Sequence, residues 1–131
     1  MFTDPIADMF VRIKNAERAK LPSVSVPHSR VKQDIAKLLE ARHCIADIAR
    51  RGKKNKRSLE FKLVYEPSGE GRIQELRRIS KPSRRVYRGW TELHPSSRGN
   101  GFYIVSTPEG IMDDRKARQL KIGGEVLGEV Y

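Results

Sequence analysis

Ser80-Lys81-Pro82-Ser83-Arg84-Arg85-Val86-Tyr87 joins a proline-fixed bend to three cations and an aromatic ring. Lys81, Arg84 and Arg85 can neutralise phosphates, Pro82 stiffens the backbone that carries them, and Tyr87 can stack on a base or sugar. Ser106 and Thr107 close an apolar stretch just before Pro108-Glu109-Gly110. A hydroxyl both donates and accepts, which suits base edges and ribose 2′-OH groups. Gly123-Gly124-Glu125 permits close backbone approach at the glycines. Glu125 then either accepts hydrogen bonds from base amino groups or holds a loop in place. A further cationic run, RRGKKNKR at 50–57, includes Lys53 and Lys54 and contains no acid. These residue types bind polyanions.

Signatures of catalysis are scarce by comparison. No G-x-x-x-x-G-K-[ST] is present, which excludes a P-loop. Gly99-Asn100-Gly101 precedes a strand pattern and does not open a helix, so it is no dinucleotide fingerprint. His28, His43 and His94 are far apart, and Cys44 beside His43 lacks the second pair that a zinc site needs. No catalytic residue, metal or cofactor is expected. The competing enzymatic reading is a nuclease using His94 and Glu92, and a third reading is a DNA-binding regulator, which lacks a clear recognition-helix pattern.

The 131 residues carry a formal charge of +11, with 33% charged and 37% hydrophobic side chains. The charge is concentrated. Segments 50–57 and 72–88 together hold a net +12, and the rest of the chain is close to neutral at −1. Solubility would be served as well by mixed signs, so two basic patches point to an anionic partner. No run approaches the ~20 apolar residues of a membrane span. No secretory signal is expected from the N-terminus, and the single Cys44 fits a reducing compartment.

The elements that must position these residues follow from periodicity. Asp4-Pro5 opens a helix, with Ile6, Met9, Phe10 and Ile13 forming its apolar stripe. Ser23–Pro27 alternates as a strand. Ser29 caps a second helix with Val31, Ile35, Leu38 and Leu39 on one face. Ile45–Ile48 predicts a weak strand and Ser58–Tyr65 a stronger one, with 50–57 as the hairpin loop between them. Glu66–Gly71 is dense in turn formers and marks a domain boundary. Beyond it, Ile73–Ile79, Val86–Trp90, Phe102–Ser106 and Val126–Tyr131 read as strands. Asp113–Lys121 reads as a short helix with Gly123 just past its end. The expectation is an α+β fold of two small domains, an α/β half at 1–68 and a mainly antiparallel-β half at 69–131.

Several segments in order resemble the small-subunit ribosomal protein eight family in its bacterial form. They are DPIADMFVRIKNA at 4–16, VPHSRVKQDIAKLL at 26–39, ISKPSRRVY at 79–87, GNGFYIVSTPEGIMDD at 99–114, AR at 117–118 and GGEVLGEVY at 123–131. The resemblance implies an α/β N-terminal domain packed on a mainly β C-terminal domain. It implies a structural, non-enzymatic protein of the small ribosomal subunit. Such a protein binds a central-domain stem of the small-subunit RNA and helps assemble the platform. Contacts with small-subunit proteins five and twelve are implied, as is repression of the protein's own messenger RNA in some members. The location implied is the ribosome of a bacterial cytoplasm or of an organelle of bacterial descent. Lys81, Pro82, Tyr87, Ser106, Thr107, Gly123, Gly124 and Glu125 match the family's RNA-contacting segments. The chain departs from the family at Pro108, where Ser or Thr is usual, at Ser83 and Asn100, where Gly and Leu are usual, at Cys44, where an aromatic is usual, and throughout Arg88–Arg98.

Overall fold

The computed structural model describes residues 4–53, 55–97 and 100–131. It is an α+β fold, with three helices and eight antiparallel strands among the described residues. The chain divides into two compact units, Asp8–Ile73 and Gln74–Tyr131, the latter taking in residues 4–7.

Helix α1 (Pro5–Arg18) starts where Asp4 accepts the Ala7 amide at 3.1 Å, and Pro5 loses no hydrogen bond at that position. Strands β1 (Ser23–Pro27), β2 (Ile45–Arg51) and β3 (Ser58–Leu63) form a sheet in the order β1-β3-β2. The alternation in β3 buries Leu59, Phe61 and Leu63, as its sequence predicts.

Helix α2 (Arg30–Ala41) is capped by the Ser29 side chain, which accepts from the Lys32 amide. Its buried stripe is Lys32, Ile35, Ala36 and Leu39, and Val31 stands 44% exposed. The expected face is therefore rotated by one position. Lys32 can occupy it because its stem is apolar and its ammonium donates to the Pro27 carbonyl at 3.0 Å. Burial lowers the Lys32 pKa, a shift that nearby Asp8 opposes.

Strand β2 runs further than expected. A bulge at Asp47, which has φ 54°, shifts the register, and pairing then continues through Arg50 and Arg51. Those two cations belong to a strand, with Arg51 bonded to Glu60 at 3.1 Å, and the loop spans only Gly52–Arg57.

In the second unit, strands β4 (Leu76–Arg78), β5 (Tyr87–Arg88), β6 (Phe102–Thr107), β7 (Gly110–Asp113) and β8 (Gly124–Val130) form one sheet around β8. One edge of β8 pairs β6 and the other pairs β4 and then β5. Two expected strands are shorter than the sequence suggests. Before β4, the amides of Gln74 and Glu75 both turn onto the Tyr131 carbonyl. After β5, the chain closes into a 3₁₀ turn at Trp90–Glu92, where the Glu92 carboxylate accepts the Gly89 amide at 3.0 Å. Strand β7 is additional to the expected elements; Thr107-Pro108-Glu109-Gly110 is the tip of a β6–β7 hairpin. Helix α3 (Asp114–Leu120) is capped by Asp113 and ends at Lys121, which takes the left-handed conformation two residues before Gly123. Val105, Met112, Ala117 and Val126 form a buried cluster with Leu93.

Glu17, on α1, is 9% exposed, and its Oε1 has no hydrogen-bond partner among the described residues. Gly71 leaves room for it, since a β-carbon there would sit 2.2 Å from Oε1. Burial raises the Glu17 pKa from 4.5 to about 7, against the opposing pull of the Ile73 amide and Lys20. Tyr65 and Cys44 also feel this carboxylate. The folded chain therefore holds a proton that the unfolded chain releases earlier. This stabilisation is complete below pH 4.5 and lost as pH rises through about 7. Glu17→Gln should flatten that slope in urea titrations at several pH values. At pH 8 it should stabilise the chain by about 1–2 kcal/mol, a range reduced for solvent screening.

Candidate nucleic-acid interface

The register of β8 lines up three side chains contributed by three strands. Glu125 pairs with Tyr87 on β5 and with Ser106 on β6. Residues directly opposite in an antiparallel ladder project to the same face, so Tyr87, Glu125 and Ser106 form one row. The neighbouring row, Val105, Val126 and Met112, points the other way into the apolar cluster. Tyr87 is 64% exposed. The Ser106 hydroxyl makes no hydrogen bond among the described residues. Both are therefore free to meet a ligand.

Glu125 is held within the protein. Its Oε2 accepts a short hydrogen bond from the Ser80 hydroxyl and a second bond from Arg85 at 3.0 Å. Ser80 is fully buried, and its oxygen also accepts the Val86 amide at 3.1 Å. Around this tie, the backbone leaves β8 at Ser80, reverses through Lys81-Pro82-Ser83-Arg84 and returns at Val86. The Lys81 and Arg84 amides and carbonyls bond each other across the reversal, at 2.9 and 3.0 Å, and both side chains are exposed. In the sequence the motif's recognisable chemistry lies in its cations and ring, and Ser80 is not among the candidate contact residues. The signal available in sequence is a small hydroxyl directly before a basic, proline-fixed bend.

Thr107 sits beside Ser106 but has a different task. Its hydroxyl donates to the Gly110 carbonyl at 2.8 Å and accepts the Glu109 amide at 3.1 Å, closing the β6–β7 turn. Gly110 completes that turn at φ 117°. Gly123 and Gly124 bring backbones together within the protein. A β-carbon at Gly124 would lie 2.0 Å from the Ser106 carbonyl oxygen, and one at Gly123 would lie 2.3 Å from that of Arg88.

The other candidates are placed elsewhere. Lys53 is exposed in the Gly52–Arg57 loop, where its carbonyl accepts the Lys56 amide at 2.8 Å. Lys54 lies outside the described residues, as do Arg98 and Gly99. Glu92 caps its own turn, and His94 packs edge-on against Tyr103 with ring centroids 5.8 Å apart. Cys44 is partly buried, which raises its thiol pKa.

The arrangement presents an aromatic face and a free hydroxyl along one sheet row, next to a cationic bend. A family model described as Ribosomal protein S8 matches residues 4–131. The chain is also similar to proteins described as small ribosomal subunit protein uS8. It is 48% identical to that of Rhodopirellula baltica over 132 residues, covering 99% of both chains. It is 44% identical to that of Rubrobacter xylanophilus, covering 98% of this chain and 97% of the relative, and 44% identical to that of Thermus aquaticus over the whole of both.

Ser80→Ala should lower stability by about 1–3 kcal/mol in urea unfolding, because the Val86 amide and Glu125 both lose a buried partner. The loss should shrink in a Glu125→Gln background. Equal losses in the two backgrounds would mean that the two residues are not energetically coupled.

Proposed function

The chain belongs to the ribosomal protein S8 family, and from that premise we propose that it is a structural, non-catalytic component of the small ribosomal subunit. It binds a central-domain stem of the small-subunit RNA and helps assemble the platform. The observation that carries this reading is the row Tyr87–Glu125–Ser106, in which two side chains are free and the third is fixed by Ser80 and Arg85. Tyr87 offers a stacking face, and Ser106 offers a hydroxyl to a ribose or base edge. Glu125, already neutralised by Arg85, sets the position of the bend and repels the RNA less than a bare carboxylate would.

Thr107, Gly123 and Gly124 serve the same surface indirectly, by shaping the turn and admitting the strands. Lys81, Pro82, Arg84 and Arg85 form a cationic bend, whose Arg85 turns toward the row and whose Lys81 and Arg84 offer phosphate contacts on its other side. Lys53 and Lys54 make a separate electrostatic contact with RNA. Contacts with small-subunit proteins five and twelve, a place in the ribosome of a bacterial cytoplasm, and repression of its own messenger RNA follow from the family resemblance.

Tyr87→Ala should cost about 1–3 kcal/mol of binding to the central-domain stem by loss of stacking. Ser106→Ala should cost about 1 kcal/mol, one net hydrogen bond. Binding isotherms against the cognate stem and a scrambled stem, at one salt concentration, decide the matter. Equal losses on both RNAs would remove the row from its reading role.

Reversing Lys53 and Lys54 to Glu should instead weaken binding to all RNAs alike. It should flatten the log–log salt dependence by about one unit for each phosphate left without its cation. An unchanged slope would place that loop away from RNA.

A further inference from the structure

The segment that supplies the reading row also faces a second site. Arg85 and Tyr87 lie on the Glu125 side, whereas Arg84, Val86 and Arg88 line a cleft of about 450 Å³. Its floor is apolar, made by Ile79, Val86 and Val126 over the buried cluster. Tyr103 forms one wall, with its ring braced edge-on by His94.

The charges around this floor fall into two groups. Arg77 is answered by Glu129 at 2.7 Å and Arg78 by Asp4 at 3.0 Å. Glu92 also lines the cleft; its Oε1 accepts the Gly89 amide, which fixes the carboxylate and leaves its single negative charge against the three cations Lys81, Arg84 and Arg88. Lys81, Arg84 and Arg88 have no carboxylate partner among the described residues. Unanswered cations standing over an apolar floor suit a ligand with an anionic head and a flat, weakly polar body. The volume is also in the range of about 300–1,000 Å³ found for small-molecule pockets.

We propose that this cleft binds one nucleoside phosphate unit, with the phosphate on Lys81, Arg84 and Arg88 and the base lying over Ile79 and Val86 beside Tyr103. The unit comes either from an unpaired nucleotide of an RNA, in which case the site rests on the RNA-binding reading above, or from a free nucleotide. Because Arg84 and Arg88 diverge from Arg85 and Tyr87, an RNA held on the row would reach the cleft only by sending a nucleotide around the strand.

The test titrates 5′-AMP, 5′-UMP and inorganic phosphate into the isotopically labelled full chain, following the amides of Ile79, Val86, Arg88 and Leu93 by NMR. The nucleotides should give saturable shifts, with inorganic phosphate at least tenfold weaker. Arg84→Glu should weaken nucleotide binding roughly tenfold or more. Arg84→Gln and Lys81→Gln are milder variants that serve if charge reversal perturbs the fold. Displacement of AMP by a hairpin RNA carrying one bulged nucleotide, and not by a fully paired hairpin, identifies RNA as the source. AMP binding that neither hairpin displaces identifies a free nucleotide.

Absence of saturable shifts would overturn the proposal. So would equal affinity for inorganic phosphate, or indifference to the Arg84 and Lys81 variants. Failure of the cleft leaves the Tyr87 dependence of cognate-stem binding intact. Failure of the RNA reading abolishes the stem preference and leaves the AMP shifts in place.

Discussion

The start of β8 must be free of side chains. At Gly124 the Ser106 carbonyl, and at Gly123 the Arg88 carbonyl, occupy the space that a β-carbon would take. Bare backbone there lets β5 and β6 close on β8 from both edges. That closure brings Tyr87 and Ser106 level with Glu125 and sends Val105 and Val126 to the opposite face. The exposed row and the buried cluster are thus two sides of one register, and displacing either neighbouring strand would disturb both.

The basic residues divide by what answers them. Arg77, Arg78 and Arg118 are paired with Glu129, Asp4 and Asp114, and the first and last of these carboxylates are almost wholly buried. Each buried carboxylate collects more than one donor. Glu129 takes Arg77 and Ser96, and Asp114 takes Arg118 and the Tyr103 amide. Removing one partner of such a pair leaves a buried charge poorly compensated, so these cations belong to the fold. Lys53, Lys81 and Arg84 are exposed, with no carboxylate partner among the described residues. They add positive field at little cost to stability. A positive excess can therefore coexist with a modest core.

Much of the fold was legible because its signals are local. Asp4-Pro5, Ser29 and Asp113 cap the helices they were expected to cap. The alternation in β3 places its three large apolar residues inside. The local pattern fails where a distant partner overrides it. Arg50 and Arg51 look like loop by composition but are drawn into β2 by pairing with β3. Lys32 looks like a surface residue, yet the Pro27 carbonyl gives its ammonium a partner and its stem fills the stripe that Val31 leaves. Strand β7 has no such local signal: its four residues pair with β6 across a tight turn that the Thr107 hydroxyl braces.

By itself the sequence determined the element order, the concentration of positive charge in two segments, and the presence of an aromatic, hydroxyl and glycine set suited to RNA. These depend on composition, capping and periodicity, which act over a few residues. Tertiary structure alone decided how those residues are used. Ser80 meets Glu125 across 45 positions, and the Thr107 hydroxyl goes to its own turn while that of Ser106 stays free. Arg84 and Arg85, adjacent in sequence, have different surroundings: Arg84 lines the cleft and Arg85 bonds Glu125. Such assignments follow from strand register. Register is fixed by packing on a distant strand, so neighbouring residue types alone do not specify it.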